Sequence, residues 1–219
     1  MRLTTTTNVT VDGVMQGLGG RDEDRRGGFE RGGWVIPLND TETGDYINQI
    51  YGGAAAFLFG RRTYEIFAGS WGAMTDLRKH PIGVALNSRP KYVASTSLTN
   101  PKWAGTTVLT GDVAAAVRDL KTHQDGELLV PGSGVLVRWL LANDLVDQLN
   151  LITFPVVVGQ GTRLFPDSGP DMALDLVNSR TTSRGITIQT YRPAGRPEYA
   201  TSTVDPEHIM RDATSGRRS

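Results

Sequence analysis

The sequence predicts an α/β domain built on a central twisted sheet, mostly parallel, with helices on both faces. Short apolar or β-branched runs at residues 3–11, 54–59, 91–94 and 128–130 alternate with segments of helical periodicity. Two of these runs end in glycine turns that open directly into a helix, at Gly60 and at Gly132-Ser133-Gly134. Past residue 146 the strand-like segments follow one another without an intervening helix, which adds an antiparallel edge and makes the sheet mixed.

The elements follow in order. Residues 3–11, rich in threonine and valine, read as the first strand. Residues 17–33 hold seven glycines together with Asp22, Glu23, Asp24, Arg25 and Arg26. A glycine costs about 1 kcal/mol in a helix, so this stretch is expected to be a long mobile covering loop. Trp34-Val35-Ile36 ends it. Thr41 to Tyr51 reads as a helix, with Tyr46, Ile47, Ile50 and Tyr51 at helical spacing and Gly52-Gly53 as its stop. Ala54 to Phe59 is a continuous apolar run, as in a strand buried on both faces, and Gly60 turns it into a helix reaching about Ser70.

Lys91–Ala94 and Thr106–Leu109 are the next strands. Asp112 then caps a helix to about His123, with Val113, Val117 and Leu120 on one face. After the strand at 128–130, a helix carries Val135, Leu136, Trp139, Leu140 and Leu141. Residues 147–158 give a long strand signal. Residues 186–191 alternate as an edge strand would, with 172–177 as a hairpin partner. Apolar content falls near the end, so the domain is set at 1–194 and 195–219 is expected to be a poorly ordered tail.

Composition narrows the function classes. The 219 residues suit a single domain with a substantial core. Absence of cysteine excludes disulfides, thiolate metal ligands and cysteine nucleophiles, and it fits the cytoplasm. Twenty-three basic residues balance 23 acidic ones, so no net field favours nucleic acid or an anionic membrane. No apolar run approaches a spanning helix, and the threonine-rich start lacks the apolar core of a secretory signal. His80, His123 and His208 are scattered without ligand spacing, so no metal is expected. Ser133 has no evident histidine partner, which argues against hydrolase chemistry.

Three turns could bind a ligand. At Gly60-Arg61-Arg62-Thr63, free N–H groups, the positive end of the helix dipole and two guanidinium groups suit a phosphate. The plainer reading is a solvated helix start with Glu65 as its capping partner. Gly132-Ser133-Gly134, continuing into Val135 and Leu136, repeats the strand–turn–helix arrangement, and its glycines admit a ligand close to the backbone. Ser95-Thr96 offers hydroxyls for a ribose or its phosphate, or serves only as a turn. Among the acids, Asp12 is plainly a turn residue, Asp45 a favourable charge early in a helix, and Asp147 a cap before a strand.

Taken together, several segments resemble the dihydrofolate-reductase-like superfamily. The likeness is specifically to stand-alone bacterial proteins similar to the reductase domain of bifunctional riboflavin-biosynthesis deaminase/reductases. The matching segments are Val11-Asp12-Gly13-Val14-Met15-Gln16, Gly28-Phe29-Glu30-Arg31-Gly32-Gly33-Trp34, Leu58 to Glu65, Lys91 to Ser95, Gly132 to Gly134, Leu145-Val146-Asp147, and Pro155 to Phe165. They cover about residues 1–192 in the family's order. The resemblance implies NADPH bound along the strand ends. Gly60, Arg61, Arg62 and Thr63 would contact its pyrophosphate and adenosine side, and Ser95 and Thr96 the ribose 2′-phosphate. Gly132, Ser133, Gly134, Val135 and Leu136 would lie beneath the pyrophosphate and nicotinamide ribose. Asp12, Val14 and Gln16 would face the nicotinamide and substrate.

That resemblance implies hydride transfer to a C=N or C=O carbon of a small heterocycle, with Asp12, or else Asp45 or an ordered water, assisting the proton. The named substrates are dihydrofolate and the riboflavin-pathway ribosylaminopyrimidine, with a specialised bacterial metabolite as a third. Gln148 stands where a glutamate commonly follows the aspartate, which departs from the riboflavin-type pattern. Relatives imply a homodimer through the C-terminal strands. The alternative from another class is a nucleotide-binding sensor without turnover.

Overall fold

The structure, a computed structural model, describes residues 1–199. Eight strands form one sheet among them: β1 (Arg2–Thr10), β2 (Ala56–Gly60), β3 (Lys91–Ala94), β4 (Thr106–Leu109), β5 (Glu127–Pro131), β6 (Gln148–Phe154), β7 (Leu174–Thr181) and β8 (Thr187–Pro193). The spatial order is β4-β3-β2-β5-β1-β6-β8-β7. Pairings from β4 through β6 are parallel, while β6–β8 and β8–β7 are antiparallel. The predicted mixed α/β sheet is therefore the one observed.

Register sorts the core. Leu3, Leu128 and Ala56 lie in one cross-strand row, and Thr4, Leu129 and Phe57 in the next. Successive side chains point to opposite faces, so these rows feed different cores. The first face packs on α5 (Val113–His123) and α6 (Gly134–Ala142), through Val117, Val137, Leu140 and Leu141. The opposite face carries Phe57, Phe59, Val93 and Leu129 against α1 (Thr41–Gly53) and α4 (Pro81–Ser88). Helix α2 (Arg61–Gly69) adds Tyr64 to that second core.

Three expectations are corrected. The segment at 186–191 is not an edge: β8 lies between β6 and β7, and β7 forms the outer strand with every residue exposed. The strand expected at 147–158 stops at Phe154, because Pro155 has no N–H to continue the ladder. Two helices between residues 70 and 90 were not anticipated, α3 (Thr75–Lys79) and α4. Helix α4 does carry local signals, with Pro81 in its first turn and the His80 ring accepting from the Ile82 amide.

The glycine-rich loop is packed down on the protein. Phe29 is 1% exposed, and its ring is wedged between Gly17 and Gly161, where an added Cβ would lie 2.7 Å from ring atoms at both positions. The Trp34 indole N–H donates to the Gln16 carbonyl at 2.9 Å, and Gly33 N–H donates to the Gly17 carbonyl at 2.7 Å. Glycine serves here for close approach and positive φ rather than for looseness. Of the expected tail, residues from 200 on lie outside the described residues; before them, Arg196 and Tyr199 both bond to Asp171.

Candidate functional site

Strands β2 and β5 are neighbours whose connections leave in opposite directions. From β2 the chain runs through α2, α3 and α4 to β3, while from β5 it runs through α6 to β6 on the other side. The crevice outside the carboxyl ends of such a strand pair is where open α/β sheets bind ligands. A cleft of about 940 Å³ opens there.

Both helices begin at its wall. No side chain caps α2 or α6, so their first-turn N–H groups have no partner of their own. Gly132 and Ser133 are both left-handed, with φ of 56° at each, which aims the start of α6 back toward β2. A left-handed serine is strained and persists only where its surroundings fix it. Here Ser133 is 6% exposed, and its Oγ accepts from the Gly60 N–H at 3.1 Å. Gly134 packs against Met15, whose Sδ would lie 2.3 Å from any added Cβ.

The cleft brings together Gln16, Gly60, Arg61, Arg62, Thr63, Ser95, Thr96, Gly132, Ser133, Gly134, Val135 and Leu136, all of them anticipated. Several have partners already. The Ser95 hydroxyl accepts from the amides of Ser97 and Leu98, the ST-turn of the plainer reading. The Gln16 amide donates to the carbonyls of Asp24 and Arg26, and its oxygen accepts from the Thr162 N–H and hydroxyl. Gln16 is thus the brace of the covering loop as well as part of the wall.

Asp12, Val14 and Asp45 do not line the cleft. Burial pushes the Asp12 carboxyl up, but bonds from the Thr10 hydroxyl and the amides of Val158 and Gly159 outweigh it and hold the group at about 2. Asp12 thereby fastens the β1 turn to the segment after β6. Val14 is fully buried and bridges to Arg163. Asp45 is exposed on α1.

Other lining residues were not anticipated. Asp24, with a 7% exposed side chain, accepts from Arg26 and, at 3.1 Å, from Arg62 of α2. The Arg26 hydrogen bonds chiefly lower its carboxyl to about 2. Arg62 is therefore shared between the cleft and the loop, and Arg61 stands 3.7 Å from Glu65. Glu23 also lines the cleft; burial raises its carboxyl, against opposing bonds from the Gly19 and Leu18 amides. Thr6 and Asn8 of β1, with Ile47, Tyr51, Phe67, Trp71 and Ile82, complete the inner part. The polar run Thr4 to Asn8 within β1 was the available signal for the first two. Among the described residues no group of acids and histidines could hold a metal, and no helix is long and apolar enough to cross a membrane.

Known proteins resemble this chain in sequence or in fold. YyaP of Bacillus subtilis (strain 168) is 27% identical over 183 residues, covering 81% of this chain and 87% of YyaP. A Shewanella sp. PV-4 protein named for riboflavin biosynthesis superposes with a TM-score of 0.66 at 19% identity, over 88% of this chain and 99% of that one. A pyrimidine reductase-like protein from Corynebacterium diphtheriae gives 0.58 at 15% identity, over 88% and 91%. RibD of Acinetobacter baumannii gives 0.58 at 12% identity, over 88% of this chain and 58% of RibD. At these identities the structures speak for the fold. The model of the RibD C-terminal domain matches residues 2–188, nearly the whole described chain, and the protein belongs to the RibD C-terminal domain family.

Proposed function

We propose that this protein is an NADPH-dependent reductase of a small ring compound, acting in the cytoplasm. One observation carries the reading: two uncapped helix N-termini meet at the carboxyl ends of β2 and β5 and are tied by the Ser133 hydroxyl and Gly60 amide. Such a pair presents converging N–H donors and dipole ends, which suit a pyrophosphate. The hydroxyls of Ser95 and Thr96 and the half-exposed guanidinium groups of Arg61 and Arg62 fit the adenosine 2′-phosphate. When bound, NADPH supplies a hydride to a C=N or C=O carbon while the heteroatom takes a proton, leaving NADP⁺ and the reduced product.

The chain's own residues do the rest. The turn at Gly132-Ser133-Gly134 orients the cofactor, and the braced loop at 17–33 excludes water. For the acid we turn from Asp12 to Glu23, the lining carboxyl whose burial favours its protonated form. The reductase reading is also supported by the name of the Corynebacterium structure, a pyrimidine reductase-like protein. Pairing of the exposed outer strand β7 with its copy would make the homodimer. The test of the cofactor is a thermal-shift titration with NADPH and NADH. NADPH should stabilise the protein more than NADH; no shift with either rules the reading out.

A further inference from the structure

The cleft has an inner part distinct from its phosphate end. Ile47, Tyr51, Phe67, Trp71 and Ile82 line it, and all five pack on the same aromatic core beneath α1 and α4. None of them is charged. The charged lining residues come from other elements: Glu23, Asp24 and Arg26 from the covering loop, Arg61 and Arg62 from the first turn of α2, and Asp112 from the start of α5. Among these, Arg26 and Arg62 already share Asp24, and Asp112 caps its own helix.

Two polar groups in this inner part have no partner among the described residues. Tyr51 is 7% exposed and lines the cleft, yet its hydroxyl makes no hydrogen bond. Burial alone pushes the phenol up, so it stays a donor at any physiological pH. Asn8 sits on the same sheet face as Thr6, and its Oδ1 is buried without a partner. Its neighbour in the row differs: the Thr6 hydroxyl accepts from Asn150 Nδ2 at 3.2 Å. A buried polar atom is nearly always satisfied, so the open Asn8 oxygen, together with an unpartnered Tyr51 hydroxyl lining the same cleft, points to a ligand that meets both.

We propose that this inner part receives an uncharged, flat ring compound bearing a carbonyl, which accepts from the Tyr51 hydroxyl while its edge meets the Asn8 amide. This rests on the reductase reading and narrows it. A phosphorylated ribosylaminopyrimidine or a folate brings anionic groups into walls that offer no free cation. A neutral lactam or similar ring matches what is there: apolar faces, one donor and one amide.

The experiment uses the full chain with NADP⁺ bound, and calorimetric titration of quinolinone, a neutral bicyclic lactam, against naphthalene, dihydrofolate and the phosphorylated ribosylaminouracil. NADP⁺ is titrated first into the wild type and Tyr51→Phe. Failure of NADP⁺ to bind removes the reductase reading itself. With NADP⁺ bound, quinolinone should bind more tightly than either anionic compound. Tyr51→Phe should weaken quinolinone about tenfold, leaving NADP⁺ and naphthalene within about twofold. Tighter binding of either anion, no binding of quinolinone at millimolar concentration, or a Tyr51→Phe protein that binds quinolinone like the wild type overturns the proposal. Asn8→Leu, which keeps the volume but removes the amide, should show the same selective loss.

Discussion

The Ser133 hydroxyl accepts a hydrogen bond from the Gly60 amide at 3.1 Å, so the two turns that open α6 and α2 are held as one unit. Removing that oxygen frees the turns from each other and takes one hydroxyl from the cleft wall. Ser133→Ala should weaken NADPH about threefold to tenfold and destabilise the fold by about 1 kcal/mol. Titration of NADPH together with urea unfolding checks both. An unchanged affinity would mean that the turns are positioned independently.

Asp24 ties the covering loop to α2 through Arg62. Its carboxyl is held at about 2, chiefly by Arg26, below the ordinary 3.8. A depressed carboxyl stabilises the fold above its unfolded pKa, and that contribution is lost as pH falls from about 4 through about 2. Asp24→Asn should cost about 1–2 kcal/mol at neutral pH, discounted because both arginines are half exposed. The variant should also flatten stability over that acid window. Urea midpoints measured from pH 2 to pH 6 give the comparison.

Glu23 carries the opposite shift, raised by burial. It is therefore protonated more readily in the folded chain. Stability linked to it is present below its ordinary pKa of 4.5 and is lost as pH rises through the folded value. Glu23→Gln should lower kcat about a hundredfold with the NADPH KM little changed, and should remove the decline in rate as pH rises through the folded Glu23 value. A rate equal to wild type would return the proton to solvent.

Lys91 is fully buried, donating to the carbonyls of Leu86 and Arg89, and burial lowers its ammonium to about 8. Lys91→Met should destabilise the protein by about 1–3 kcal/mol at pH 7, because both carbonyls lose their donor. For a depressed amine, the cost of burying the charge is lifted as pH rises from about 8 through 10.5. The wild type should gain stability over that range relative to Lys91→Met, as read from paired denaturation curves.

Gly17 and Gly20 separate two uses of glycine in one loop. Gly17 has φ of +66° and faces Phe29, whereas an added Cβ on Gly20 meets nothing within 4 Å. Gly17→Ala should cost about 2–4 kcal/mol through overpacking and left-handed strain. Gly20→Ala should change stability by less than about 0.5 kcal/mol. Thermal unfolding of the two variants side by side settles the point.

Continuous apolar runs in β2 and β5, the β-branched content of β1 and the helical periods made β1 to β6 with α1, α2, α5 and α6 readable, while α3 and α4 carried no such pattern. Strand β7 was only half legible because all eight of its residues are exposed and supply no alternation. The two glycine turns were visible, but their coupling was not: the Ser133–Gly60 bond joins residues 73 positions apart. For the same reason Asp24 passed as one charge among eight in the loop at 17–33, and the inner residues of the cleft passed as ordinary core. Asp12 shows the limit in reverse. Its local reading as a turn residue is the one that its hydrogen bonds support.

The wedging of Phe29 has an evolutionary corollary. Gly17 presses one edge of the ring and Gly161 the other, so three positions from distant parts of the chain share a single volume. Neither glycine can enlarge by drift while the phenyl remains. Related chains that keep an aromatic ring at this position should keep glycine at both flanks, where positive φ adds to the steric demand.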